Sequence, residues 1–358
     1  MALQFLRAKL SILPSLFQPA YDAIFSTFPW WQRWRLLTLQ PINLLTALIT
    51  SPTWLFNNRY TVLYISTRSG QKRCLVYLPR NQDPKTRKIL RPIHLDIHGG
   101  AFIGGLPEHD TRWCSYLSDS TGAVVVSCSY RLAPRHTFPA AHDDVDDIVT
   151  YLLSNAEAQF GADPNLFTTS GSSVGGNLAL STAIDLQRSQ PSMESQTQKK
   201  SGVGVKAFVG FYTPVDFRLK PEQKPKPPSF PTSDPLAFLL PMYDAYAGPS
   251  RQANLTNPRL NPIIAEKEFL PQNILLIVPG IDILVHEQLS LVERIREELE
   301  REGGSESRVE AKVIENAFHG WIELPKAVLE KERIDAFEAG VLFIKEVHSR
   351  CGFDVGAI

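Results

Sequence analysis

The sequence predicts an α/β protein: a mostly parallel sheet with helices on both faces and a helical cap. Three observations carry that expectation. From residue 60 onward, short apolar runs alternate with longer amphipathic stretches. The first two runs flank a tight turn and read as an antiparallel pair, and those after them read as buried parallel strands. Two segments stand outside the alternation, residues 1–56 and an insertion at about 212–262, and both fit a cap.

The elements follow in chain order. Residues 1–56 are apolar and aromatic, with Trp30, Trp31, Trp34 and Trp54. Pro14, Gln18 and Pro19 interrupt the first apolar run, and no clean small-residue cleavage site follows, unlike a signal peptide. No stretch reaches the roughly 18 uninterrupted apolar residues of a spanning helix. Two readings stand: amphipathic helices lying on the body as a lid, or a membrane-surface anchor built on the Trp/Arg mixture around Trp30–Arg35. Tyr60–Ser66 and Lys72–Leu78 flank Ser69-Gly70 and predict a hairpin. Parallel strands are predicted at Ile93–Ile97, Ala123–Ser127, Leu166–Ser170, Ala207–Phe211, Ile274–Val278 and Val309–Ile314. Helices are predicted near Pro107–Ser120, Ala140–Gln159, Gly175–Arg188, Val285–Glu302 and Leu324–Val347. Ser189–Gly204 is polar and predicts a mobile surface loop. The proline-rich run Lys220–Pro235 excludes regular helix or central strand, and a short helix is predicted after it at Leu236–Ala247. The division is thus a cap segment over 1–56 and a main domain over 57–358 with its insertion.

The totals agree. The 358 residues suit one large α/β domain with a cap. A content of 43% hydrophobic and 21% charged residues is that of a packed protein. Lys plus Arg and Asp plus Glu are both 37, so no bulk charge exists to hold nucleic acid. Cys74, Cys114, Cys128 and Cys351 fit neither a metal site nor a disulfide framework, and predict reduced thiols in a cytoplasmic protein.

Three signals carry chemistry. Gly171-Ser172-Ser173-Val174-Gly175 fits G-x-S-x-G, ends a predicted strand and opens a predicted helix. That tight turn would present the Ser173 hydroxyl outward, with helix-start amides beside it. His98-Gly99-Gly100-Ala101-Phe102 follows another strand. Adjacent glycines let backbone amides approach a ligand. With Val174, the amides of Gly99 and Gly100 are candidates for an oxyanion hole. A serine nucleophile needs a base, and the base an orienting carboxylate. Asp282 and His319 each lie just past a predicted strand end, on the same sheet edge as Ser173. Their chain order, Ser, Asp, His, is that of one known fold. His98 is predicted to be a structural loop residue rather than the base.

These stretches, with Tyr130-Arg131-Leu132-Ala133-Pro134, Phe138-Pro139-Ala140-Ala141, Gly280-Ile281-Asp282-Ile283-Leu284 and His319-Gly320, resemble the hormone-sensitive-lipase-like branch of the α/β-hydrolases. The resemblance spans about residues 60–350. It implies the α/β-hydrolase fold, with an eight-stranded sheet and a helical cap. It also implies catalytic Ser173, Asp282 and His319, and an oxyanion hole of Gly99, Gly100 and Val174. Two positions depart from the family pattern. Ser172 stands where an acid is usual, and Val174 where alanine is usual, which alters local hydrogen bonding and narrows the space beside the nucleophile. Present His319 argues against the relatives that became hormone receptors.

The expected activity is hydrolysis of a carboxylic ester through an acyl-enzyme, with no metal and no cofactor. The cap's aromatic residues, Trp30, Trp31, Trp34, Phe238 and Tyr243, predict an apolar pocket for a short-to-medium acyl ester or a lipophilic natural product of secondary metabolism. The alternatives are an amidase or formamidase, and a non-catalytic small-molecule receptor on the same fold. The expected partner is the ester substrate, with no nucleic acid, membrane contact only through residues 1–56, and a monomer or homodimer.

Overall fold

Val124, Val126 and Cys128 pack on one face of the sheet and Val125 on the other, so one short strand serves two cores. The same alternation recurs in Ile274, Leu276 and Val278 against Leu275 and Ile277. Such strands need helices on both sides to leave water. The computed structural model supplies them, and describes residues 2–80, 89–189, 204–232, 238, 240–303 and 307–354.

Among the described residues, eight strands form one sheet: β1 (Tyr60–Thr67), β2 (Gly70–Tyr77), β3 (Arg91–Ile97), β4 (Val124–Cys128), β5 (Ala162–Ser172), β6 (Phe208–Phe211), β7 (Asn273–Ile281) and β8 (Arg308–Phe318). Their spatial order is β1-β2-β4-β3-β5-β6-β7-β8. β2 runs antiparallel to both its neighbours. The remaining pairs are parallel. The predicted α/β sheet is therefore the observed one.

Four helices precede the sheet: α1 (Ala2–Leu10), α2 (Leu13–Leu16), α3 (Gln18–Phe25) and α4 (Trp30–Trp54). No described helix is long and apolar enough to cross a membrane. Lys9 ties α1 down, reaching the carbonyls of Trp54 and Asn57 at 2.5 and 3.0 Å and the Tyr60 hydroxyl at 2.8 Å. Asp22 of α3 pairs with Arg135 at 2.6 Å. Arg33 donates to the Ala23 carbonyl at 2.6 Å and joins α4 to α3.

Between the strands lie α5 (Thr111–Thr121), α6 (Ala140–Phe160) and α7 (Val174–Arg188), then α8 (Leu240–Tyr243), α9 (Val285–Arg301) and α10 (Glu330–Arg350). Ile148, Leu178 and Leu291 carry α6, α7 and α9 onto one face of the sheet. Trp113 and Phe337 carry α5 and α10 onto the other.

Several boundaries differ from expectation. The last helix begins at Glu330, not Leu324, because a 3-10 turn over Trp321–Glu323, Pro325 and the positive φ of Leu329 stop it earlier. Pro107–Asp110 is a 3-10 turn leading into α5. The helix expected at Leu236–Ala247 is the single turn α8 within the described residues, and 233–237 and 239 lie outside them. The loop predicted at Ser189–Gly204 falls on 190–203, also outside the described residues. The four cysteines are unpaired.

Candidate active site

β5 ends and α7 begins at Ser173, which holds φ 51° and ψ −127°. A non-glycine residue there is strained. The flanking glycines make the turn sterically feasible. A Cβ on Gly175 would lie 1.9 Å from the Ile97 carbonyl oxygen, and one on Gly171 would lie 2.3 Å from the Gly175 carbonyl carbon. The Ser173 N–H is held by the Phe211 carbonyl at 2.8 Å.

β7 and β8 end side by side. Gly280 permits this, since a Cβ there would meet the Glu315 carbonyl oxygen at 2.5 Å. Asp282 follows β7, and His319 follows β8. His319 Nδ1–H donates to Asp282 Oδ2 at 2.7 Å, which leaves Nε2 to accept from the Ser173 hydroxyl at 2.9 Å. Asp282 is 2% exposed, and its Oδ1 also accepts the Leu284 N–H at 3.0 Å. The three side chains singled out in the sequence therefore meet. Partial desolvation at the cavity wall disfavours the imidazolium of His319, whose side chain is 44% exposed, but Asp282, and Glu323 beyond it, outweigh that and raise the His319 pKa.

The oxyanion-hole candidates divide. Gly100 and Val174 line the cavity with Ser173. Gly99 is turned elsewhere: its N–H donates to Ser172 Oγ at 2.9 Å. Ala101 takes its place in the cavity wall. The cause is local backbone, because Gly100, Ala101 and Phe102 all have positive φ, which reorients successive amides. His98 is structural. Its Nδ1 lies 2.7 Å from the Gly99 carbonyl, its ring stacks on Tyr130 at 4.6 Å, and the Tyr130 hydroxyl donates to its carbonyl at 2.9 Å.

Ser172, the departure from the family pattern, has a partner. Besides accepting from Gly99, its hydroxyl donates to Asp110 at 3.1 Å. Asp110 is buried beside Asp96, and burial and that neighbour both raise its pKa. Asp96 in turn accepts from Ser170 at 2.7 Å and from Ser127 at 3.2 Å. Trp113 and His94 close the network on Ser170 Oγ, each at 2.8 Å. An acid thus stands near the Ser173 turn, supplied by the segment before α5.

The cavity above Ser173 holds about 640 Å³. Leu39, Ile42, Asn43 and Thr46 of α4 form one wall, and Phe217, Leu219 and Phe230 of the insertion form another. Of the cap aromatics expected to line it, Tyr243 does so. Trp30, Trp31 and Phe238 instead face solvent. His109 and Glu323 add a polar corner that sequence reasoning missed. Burial raises the Glu323 pKa, and the Tyr212 hydroxyl lies 3.5 Å from its carboxylate. Tyr212 also packs its ring 4.8 Å from that of His319. The one signal for Glu323 was its position four residues past His319. Among the described residues, no group of His, Cys, Asp and Glu is arranged to hold a metal ion.

A family model for the α/β hydrolase fold matches residues 94–323. The chain is 37% identical over 126 residues to an ethyl acetate hydrolase of Pseudomonas putida, covering 35% of this chain and 38% of the relative. It is 35% identical over 119 residues to a versiconal hemiacetal acetate esterase of Dothistroma septosporum, covering 33% and 34%. The aligned stretch thus spans about a third of the length of each of these relatives. A hyperthermophilic esterase from the archaeon Pyrobaculum calidifontis superposes with a TM-score of 0.69 over 92% of this chain and 96% of its own, at 24% identity, a likeness of fold. Its ordered motifs and the family match together place the chain: it belongs to the α/β hydrolase fold family, in the hormone-sensitive-lipase-like branch.

Proposed function

We propose that this chain is a serine carboxylesterase that works through an acyl-enzyme. One observation carries the reading: the His319 imidazole bridges the Ser173 hydroxyl and the Asp282 carboxylate at 2.9 and 2.7 Å. A hydroxyl so placed loses its proton as it attacks. Ser173 Oγ adds to the ester carbonyl, and its proton passes to His319 Nε2. Asp282 fixes the tautomer and stabilises the imidazolium. The amides of Gly100, Ala101 and Val174 take the developing oxyanion, while Gly99 braces the loop through Ser172. His319 then protonates the departing alcohol. A water, deprotonated by the same ring, releases the acid and restores Ser173.

The apolar side chains Leu39, Ile42, Phe217 and Phe230 around a cavity of about 640 Å³ suit a short-to-medium acyl ester or a lipophilic natural-product ester. Two relatives whose names specify acetate esters favour a short acyl group. The unpaired cysteines suit a reducing compartment such as the cytoplasm.

Activity over an ester panel tests this reading. Ser173→Ala should lose at least about 10³-fold in kcat, and a fluorophosphonate should label wild type and not the variant. Wild-type turnover in Ser173→Ala would refute the assignment. Faster release of formate from an arylformamide than of acetate from an aryl ester would replace esterase by amidase.

A further inference from the structure

The outward side of the N-terminal helices is apolar where solvent-facing helices are normally polar. Along α4 and just past it, Trp30, Leu37, Leu45, Leu48 and Phe56 recur near helical spacing, and they are 73, 45, 54, 68 and 85% exposed. Along α1 to α3 a second row, Leu6, Leu10, Leu13, Phe17, Tyr21 and Ile24, keeps the same spacing, and each is exposed. The inward side of α4 is apolar too, with Leu36, Leu39, Ala47 and Trp54 buried beside Thr50 and Asn43, whose amide donates to the Leu16 carbonyl at 3.0 Å. The helix is therefore apolar on both sides, unlike an ordinary surface helix. So many exposed apolar side chains on one group of helices mark a docking face.

Charge selects the occupant. Residues 1–56 hold four basic side chains, Arg7, Lys9, Arg33 and Arg35, and one acid, Asp22. Asp22 and Lys9 are buried. The remaining charges are all cationic. A second copy of the chain would set those cations against one another, whereas an anionic headgroup layer neutralises them. Arg35 also stacks over the Trp34 ring at 4.5 Å, an amphipathic pairing suited to the boundary between headgroups and acyl chains.

We propose that the outward face of α1 to α4 docks on an anionic lipid bilayer, and that the cavity draws its ester from that bilayer. The second half rests on the ester-hydrolase reading. α4 links the two, because its opposite side, Leu39, Ile42 and Thr46, lines the cavity. The helix lies in the interface plane as the wall between lipid and nucleophile.

Flotation of the full chain tests docking. Wild type should rise with vesicles of phosphatidylcholine and phosphatidylserine at least about tenfold better than with phosphatidylcholine alone, and release in high salt. Leu45→Glu/Leu48→Glu should lose about tenfold or more of that partitioning and still hydrolyse a water-soluble short-chain ester at the wild-type rate. Its KM should rise for an ester carried in vesicles and stay unchanged for the soluble one. Should that variant lose soluble-ester activity, Trp30→Ser/Trp31→Ser takes its place under the same criteria. Ser173→Ala should float like wild type, which separates failure of docking from failure of hydrolysis. Wild type remaining in the aqueous layer, equal flotation of the variant, or a wild-type dimer that the variant splits would each overturn the proposal.

Discussion

Ser173 shows how far residue-scale chemistry can be read from a sequence. Its φ of 51° is tolerated because Gly171 and Gly175 leave room for the turn, and the G-x-S-x-G pattern records that steric need directly. Gly99, expected among the cavity amides, instead donates its N–H to Ser172 Oγ. Whether an amide faces the cavity depends on successive positive φ angles at Gly100, Ala101 and Phe102, and two of those residues are not glycine. Glu323 and Asp110 were not legible either, since a carboxylate in a loop has no pattern until a neighbour approaches it. Glu323 leads to a prediction about pH. In the proposed mechanism the base works as neutral imidazole, so activity should fall as pH drops through the raised His319 pKa. Asp282 and Glu323 both raise that pKa. Glu323→Gln should therefore move the acid limb of kcat/KM to lower pH, with less than about a tenfold change in kcat at the plateau. Asp282→Asn should move it the same way and lower kcat by about 10⁴-fold. An unmoved limb in Glu323→Gln would show that its charge does not reach His319.

At the scale of elements, strands and amphipathic helices were legible because periodicity is local, and β4, α6 and α9 lie within a residue or so of expectation. The ends were less legible. β5 runs from Ala162, four residues before the expected start, because β3 offers it a partner from Arg91 onward. The attachment of α1 is a tertiary feature. Glu108 is fully buried and accepts two bonds from Arg73, at 2.6 and 3.1 Å, and Arg73 reaches back to the Ala8 carbonyl at 3.1 Å. Removing one partner leaves an uncompensated buried charge. Arg73→Ala should cost about 3 kcal/mol, read from the urea midpoint, and should loosen α1 first, read as faster amide exchange there. A midpoint shift below about 1 kcal/mol would mean that Lys9 or water already satisfies Glu108.

At the scale of the whole molecule, acid stability is a balance between two buried populations. His94, His98, His109, His142 and His348 are held neutral, and burial lowers each pKa. Below pH about 6.5 the unfolded chain protonates these sites and the folded chain does not, so stability falls. Burial raises Asp96, Asp110, Asp146, Asp185 and Glu287, so the folded chain keeps protons that the unfolded chain loses, which adds stability as pH falls. The opposing slopes, about 1.4 kcal/mol per pH unit for each group, nearly cancel until the unfolded carboxylates also protonate near pH 4. Stability should then drop steeply below about pH 4, with little change from 7 to 5. Urea midpoints measured across pH 7 to 3 test this, and a steep loss already at pH 6 would refute the balance. The sequence by itself determined the alternation of strands and helices, the strand-to-helix turn at Ser173 and the order Ser173, Asp282, His319, because steric need and hydrophobic period act between near neighbours. Only the tertiary structure decided which amide faces the cavity, which acid meets Ser172, and that Trp30 and Leu48 look outward. Those depend on groups brought together from distant parts of the chain, where no local pattern records the contact.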